Sequence, residues 1–386
     1  MNMARKEVIM SREGCPVDPV LAGTSVALLA FGIVMVASAS TEVAARLHGD
    51  SMHLLARHLL YVAVAGGAAM VTLLIPVSFW QRSYVLLAIA SFLLLAAVLV
   101  PGVGREVNGA VRWIPLGFFN LQGSEFVKLF VVVYLAGYLA SRETITIRTF
   151  VQPGLILLGL VLLLLGQPDF GASVVIVAAA FGVIFLAGTS WRYLGPFLLL
   201  GIIGFVGMVF AEPYRLARLF AFADPWAQQY GSGYQLTQAL IAFGRGEWFG
   251  LGLGNSIQKL FFLPEAHTDF LFSIIAEELG LLGASVVVML FLALVLRAVM
   301  LGHRAFRNDQ LFHALLAFGI ALLIGVQALI NLGVNMGVLP TKGLTLPLMS
   351  YGGNSLIVSC ILIAILLRIE MESRVAPPRG RGGRSS

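Results

Sequence analysis

Of 386 residues, 59% are hydrophobic and only 11% charged, far from the roughly 25% charge of a soluble domain. Lipid rather than water can solvate such a surface, and the length supplies many spans of about 20 apolar residues. The net charge of +6 does not point to nucleic acid, because the basic residues lie between apolar runs, and the distant Cys15 and Cys360 read as inert thiols rather than a disulfide.

Residues 1–19 form a mixed, partly basic cytoplasmic segment, and no A-x-A cleavage site follows, so the first apolar run is a retained span. Runs near 20–40, 54–76, 83–101, 124–140, 153–167, 171–188, 193–211, 269–299, 310–336 and 352–371 predict an all-α integral membrane protein of about ten transmembrane helices. Gln167-Pro168-Asp169 separates the short fifth run from the sixth. Residues 20–371 read as one polytopic membrane domain, carrying a long extracytoplasmic loop (213–268) between the seventh and eighth helices. Residues 372–386, rich in Gly, Arg and Ser, read as a disordered basic cytoplasmic tail. With the amino terminus inside, fifteen Lys and Arg fall on cytoplasmic segments and four on the short outer loops, which puts both termini in the cytoplasm. No internal repeat of the transporter kind is visible.

Charges within spans are costly and should pair or line a wet cavity. Arg57 and His58 interrupt the second run. In the fourth, Glu125 and Lys128 stand at i and i+3 on one face, an arrangement that mutual neutralisation explains as well as a cavity does. Asp169 lies at the outer mouth between the fifth and sixth runs. Glu277 and Glu278 diverge by about 100°, so both cannot face one cavity. On the ninth run, Gln327, Asn331 and Asn335 recur every four residues and read as glue between helices, as does the Gly333/Gly337 pair.

A loop of this length without strong periodicity is too long for a passive connection. Its Arg215, Arg218, Arg245 and Lys259 suit phosphates, or simply a solvated surface. Asp269 lies where this loop enters an apolar helix. It fits a helix-start carboxylate, and equally a carboxylate poised by partial desolvation to take a proton from a hydroxyl, with His267 and Glu265 available to share that work. His267 has no spaced His or Cys partner for zinc. Trp113, in the loop after the third run, fits a membrane-interface anchor. The last outer loop carries Lys342 and leads into Ser350-Tyr351-Gly352-Gly353, whose backbone amides could receive an anion.

Five segments in order, Asn108-Gly-Ala-x-x-Trp113-Ile, Gln122-x-Ser-Glu125-x-x-Lys128, Gly233-Tyr-Gln-Leu, Leu263-Pro-Glu-x-His-Thr-Asp269-Phe and Ser350-Tyr-Gly-Gly, resemble the SEDS family of shape, elongation, division and sporulation proteins. The likeness runs from about Ala22 to Arg368. The stretch from Leu339 to Pro347 is more similar to the cell-division branch than to the elongation branch. The resemblance implies a ten-helix peptidoglycan glycosyltransferase of the bacterial inner membrane. It would polymerise lipid II into glycan strands at the septum, with undecaprenyl diphosphate leaving in an inverting transfer. It implies Asp269 as the catalytic residue, Glu125, Lys128 and Asp169 lining a cavity, and Trp113 as functionally sensitive. Arg57, Arg215, Arg218 and Lys342 join these as substrate-binding candidates, with Lys128, Arg215, Arg218 and Lys342 facing the diphosphate and a divalent cation (Mg or Mn) compatible with that leaving group. Partners implied are a class B penicillin-binding protein (an FtsI-type transpeptidase) and the FtsQ, FtsL and FtsB division proteins. Gly123 stands where the family usually has Pro, and Asn354 where it has Ser. Two other functions fit the same charges, a flippase for the lipid-linked precursor and a non-catalytic division scaffold, and assaying polymer against translocation separates them.

Overall fold

The structure is a computed structural model describing residues 17–107, 109–117, 119–142, 147–211 and 213–375. Each of the ten apolar runs is helical. In chain order the elements are α1 (Pro19–His48), α2 (His53–Leu74), the short α3 (Val77–Arg82), α4 (Tyr84–Leu99), a three-stranded antiparallel sheet of β1 (Arg105–Val107), β2 (Ala110–Pro115) and β3 (Asn120–Gln122), then α5 (Gly123–Ala140), α6 (Ile147–Gly166), α7 (Phe170–Leu186), α8 (Trp191–Ala211), α9 (Pro213–Ala223), α10 (Tyr234–Gly246), α11 (Leu271–Arg307), α12 (Leu311–Asn335) and α13 (Gly353–Val375). Among the described residues, seven helices are long and apolar enough to cross a membrane, and α4 and α7 are shorter apolar ones. The chain is a multi-pass membrane protein. Its amino-terminal segment before 17, Asn108, the side chain of Arg215 and the tail beyond 375 lie outside the described residues.

Two helices form the centre. α5 is buried nearly all round, and α12 packs against α5, α7, α11 and α13. The outer helices are apolar on the face turned away from this centre: Leu60, Val64, Val71 and Leu74 on α2, and Leu155, Leu158 and Leu162 on α6, are exposed. Faces that size have no place in water and suit lipid. α13 continues to Val375, past the boundary at 371 read from hydropathy. Its last turns are held by pairing, since Glu372 accepts from Arg368 at 2.7 Å and Glu370 from Arg374 at 2.8 Å.

Two features depart from the sequence reading. The long segment is not irregular throughout but carries α9 and α10, the latter burying Leu236, Ala239 and Ala242 at helical spacing against α11. Gly337 lies beyond the end of α12 with φ of +72°, closing the helix, so Gly333 and Gly337 are not a helix-packing pair.

α11 is broken at Gly280 (φ 67°, ψ −166°), where a Cβ would lie 2.5 Å from the Trp248 carbonyl and the Gly250 nitrogen. Only glycine meets both demands. The chain freed at the break is satisfied by the preceding loop: Leu251 N donates to the Glu277 carbonyl, Gly252 N to that of Glu278, and Leu281 N to that of Glu247. The two fully buried carboxylates above the break diverge, as their helical spacing requires. Glu277 accepts from Ser256 Oγ, Ile257 N and Gln258 N. Glu278 accepts from Ser38 of α1 and Lys259 Nζ at 2.8 Å. Together they clamp the 254–259 loop onto α11. Glu278→Ala, which strands Lys259, should destabilise by about 3–5 kcal/mol, and adding Lys259→Ala should cost less than the sum of the two singles. Thermal unfolding in detergent measures this, and a single-variant loss within about 0.5 kcal/mol would dismiss the clamp.

Candidate functional site

Asp269 precedes Phe270, the N-cap of α11, and makes no side-chain cap there. Its place is set through its backbone. The Asp269 carbonyl accepts from Asn331 Nδ2 at 2.8 Å and from Asn335 Nδ2 at 3.0 Å. The turn before it is closed by Phe270 N and Thr268 N donating to the Glu265 carbonyl. His267 is joined to the opposite strand of chain by its carbonyl, which accepts from Tyr351 N at 3.0 Å, and its ring lies 5.4 Å from that of Tyr351.

The segment from 339 to 352 enters the bundle without being helical. Leu346, Leu348, Met349 and Ser350 are at most 3% exposed. Gly343 passes so close to Asp269 that a Cβ there would sit 2.9 Å from Oδ2. Thr341 receives a bond from Arg218 Nη1 of α9 at 3.3 Å, and Lys342 Nζ lies 3.9 Å above the Phe170 ring at the start of α7. On another side, Arg112 of β2 donates to the carbonyls of Gln167 and Pro168. Two guanidiniums and one lysine thus converge on the end of the bundle that holds Asp269.

Burial pushes the half-buried Asp269 carboxyl up, Glu265 adds to the rise, and Arg112 and Arg218 oppose it; the result is about 7. Desolvation is the largest influence on this carboxyl and outweighs the two cations. Burial holds His267 below the usual imidazole range, against the pull of Glu265, so it is neutral at neutral pH.

The other predicted residues fall into two groups around this point. Asp169, 3% exposed, caps α7 through Ala172 N and accepts from Ser124 Oγ at 2.7 Å. One residue on in α5, Glu125 pairs with Lys128 at 2.7 Å, and Lys128 also donates to Gln327 of α12 at 2.7 Å. Gln327 passes the connection to the Thr345 carbonyl at 2.9 Å, so the intramembrane ion pair is tied to the same buried segment that flanks Asp269. The cavity beside the pair measures about 10 Å³, room for about one water. Trp113 is half-buried on β2, facing Arg105 and Gln122 in register. Arg57 is exposed and stands at the margin, donating to Tyr61 Oη at 3.3 Å. Asn354 Nδ2 donates to the Asn120 carbonyl, and Gly123 opens α5 with its Cα facing Leu94.

Sequence reasoning missed Arg112 and read only part of the role of the stripe on α12. Arg112 makes contacts 55 and 56 residues away, and no local spacing signals them. The stripe does join α12 to its neighbours, through Lys128 on Gln327 and Ser273 on Asn335, but its amides also serve the irregular backbone around Asp269. Among the described residues no group of three or more His, Cys, Asp or Glu could hold a metal ion.

Residues 20–375 match the family described as "Cell cycle protein", that of FtsW, RodA and SpoVE. The chain is 51% identical over 370 residues to a protein of Pseudomonas fluorescens named "Probable peptidoglycan glycosyltransferase FtsW", covering 95% of this chain and 91% of that one. A namesake from Marinobacter nauticus is 52% identical over 92% of this chain and 89% of its own. Among solved structures, one reported under "Structural coordination of polymerization and crosslinking by a peptidoglycan synthase complex" is 30% identical, with a TM-score of 0.77 over 93% of this chain and 99% of that one. The rod shape determining protein RodA of Thermus thermophilus is also 30% identical, with a TM-score of 0.70 over 94% and 98%.

Gly343→Ala places a methyl against a side-chain oxygen that can swing away, so thermal stability should stay near that of the parent. Turnover by whatever step uses Asp269 should fall about tenfold or more, since displacements near 1 Å cost roughly 10². Undiminished turnover would show that the carboxylate's placement is immaterial.

Proposed function

The chain belongs to the FtsW, RodA and SpoVE family of cell cycle proteins, and on that premise we propose that it is a peptidoglycan glycosyltransferase polymerising lipid II during septal wall synthesis. The observation that carries the mechanism is the half-buried Asp269 carboxyl set against the Gly343 backbone, which burial pushes up to about 7 against the pull of Arg112 and Arg218. A base is most effective when its pKa lies near the working pH, and this one is poised there by desolvation. Asp269 accepts the proton of the acceptor's 4-hydroxyl as that oxygen forms its bond to the donor's anomeric carbon. The bond from that carbon to the diphosphate oxygen breaks, its electron pair leaves with undecaprenyl diphosphate, and the anomeric centre inverts. One base and an anionic leaving group suit transfer, whereas glycoside hydrolysis uses two flanking carboxylates.

The departing diphosphate needs fixed positive charge. Arg112, Arg218 and Lys342 supply it at the site's rim, and Arg215 is assigned the same role from its place on α9. Lys128 lies deeper with Glu125 as its counter-charge, so with Asp169 it shapes the floor of the site. Trp113 and Arg57 border it on the hairpin and α2. The bias of basic residues supports cytoplasmic termini, which puts Asp269 at the outer face, where the headgroup of a flipped lipid precursor is found. Residues 20–371 act as one membrane domain in this reading. A class B penicillin-binding protein of the FtsI type is the proposed partner, with FtsQ, FtsL and FtsB in the same assembly. The peptidoglycan synthase complex among the similar structures supports the first of these.

Because the carboxylate form is the base, the polymerisation rate should rise with pH through about 7 and level off above it. Folding runs the other way. A carboxyl raised in the folded state contributes fully below its ordinary value of 3.8, and that contribution is lost as pH rises through about 7. Asp269→Asn should lower the rate of glycan formation from purified lipid II by about 10²–10⁴ with the fold intact. Parental rates from that variant would sink the assignment, and translocation of lipid II in liposomes without polymer would replace it with the flippase.

A further inference from the structure

Three amides on one face of α12, Gln327, Asn331 and Asn335, are 5%, 2% and 0% exposed. An amide taken out of water is costly unless every group finds a partner. Here the partners are the backbones of two other segments. Asn331 Nδ2 donates to the Asp269 carbonyl at 2.8 Å and to the Leu344 carbonyl at 2.6 Å, so one nitrogen spans the two chains that form the site. Asn335 Nδ2 donates to the same Asp269 carbonyl at 3.0 Å, while its Oδ1 accepts from Ser273 N at 3.0 Å and Ser273 Oγ at 2.7 Å in the first turn of α11. Gln327 secures the next carbonyl, that of Thr345. The gap that these bonds fix is the one between the Asp269 carboxylate and Gly343, where an added methyl would sit 2.9 Å from Oδ2 and push the carboxylate aside.

We propose that Asn331 is a positioning residue for the transfer reaction: its single amide nitrogen sets the distance between Asp269 and the 342–344 backbone. This rests on Asp269 being the base. Without Asn331 the Asp269 carbonyl keeps Asn335, but the Leu344 carbonyl loses its side-chain partner and the segment bearing Lys342 and Gly343 drifts from the carboxylate. The reacting hydroxyl and the leaving diphosphate are then held by groups no longer in register. The fall appears in turnover rather than in substrate affinity, because the rim cations remain. Widening the gap also admits water to Asp269. The groups acting on it are Glu265 in its own loop, Arg112 on β2 and Arg218 on α9, with Lys342 and neutral His267 nearby, and none of these is removed.

The test uses the full chain in detergent with purified lipid II. Asn331→Leu, which keeps the branching at Cγ and removes both N–H donors, should lower kcat by about 10²-fold while KM stays within about twofold of the parent. Its acidic limb in the pH–rate profile should move below the parental position near 7, and amide hydrogen exchange in residues 343–345 should accelerate. Asn331→Ser, which retains one short donor and is the gentler variant should the leucine fail to fold, should recover part of kcat and of the limb's position. An unchanged kcat, a change confined to KM, or a lower kcat with an unmoved acidic limb would each overturn the proposal. Asp269→Asn run alongside separates the two readings. Activity retained there removes the base itself, whereas activity lost there but retained in Asn331→Leu removes only the positioning role.

Discussion

Between Leu339 and Gly352 the chain enters the bundle without a helix to satisfy its backbone, and Thr341, Leu344 and the run from Leu346 to Ser350 are buried. Where water is excluded, each carbonyl and amide of such a segment must find a partner in the protein. Part of the need is met locally, with Leu346 N donating to Ser350 Oγ and Ser350 N to the Leu346 carbonyl. The carbonyls of Leu344 and Thr345 are met from α12, through Asn331 and Gln327. That requirement draws α12 into the centre, and it brings Asp269 to the same amides. The other close contacts follow: Gly32 of α1 has its Cα pressed toward the Met349 backbone, and Gly353 meets the Tyr61 ring of α2.

The charges are distributed by the same economy of solvation. Those that lie deep are paired, Glu125 with Lys128 and Glu278 with Lys259, and their work is to hold segments in place. Those near the end of the bundle are less evenly matched. Asp269 has cations in its neighbourhood but no ion-pair partner among the salt bridges of the described residues, and desolvation sets its titration. A paired carboxylate would be a weaker base and an exposed one would titrate near the ordinary value; burial that outweighs the pull of Arg112 and Arg218 gives a carboxyl ready at neutral pH.

How much of this was legible depended on the range of the interaction concerned. The ten helices were, because an apolar run long enough to span has few other fates. The divergence of Glu277 and Glu278 was, since helical geometry alone requires it. The sheet at 105–122 was not: its strands are three to six residues long and, among the described residues, pair with one another. The break at Gly280 was hidden because a glycine inside an apolar helix usually marks packing, and what forces the break is a loop some 30 residues earlier. The α12 stripe was visible as a pattern and does join helices, yet its bond to the Asp269 carbonyl, 62 residues away, was not legible. Asp269 itself stood out by position, but its chemistry came from family resemblance, and the structure adds its surroundings.

The central claim is that Asp269 is a carboxyl held half-desolvated so that it exchanges its proton at neutral pH. Infrared difference spectra of the parent chain against Asp269→Asn, followed from acid to alkaline pH, report this carboxyl directly and need no substrate. The account predicts a protonated carboxyl band, absent from the variant, that disappears with a midpoint near 7. A midpoint near the ordinary value of 3.8 would contradict it.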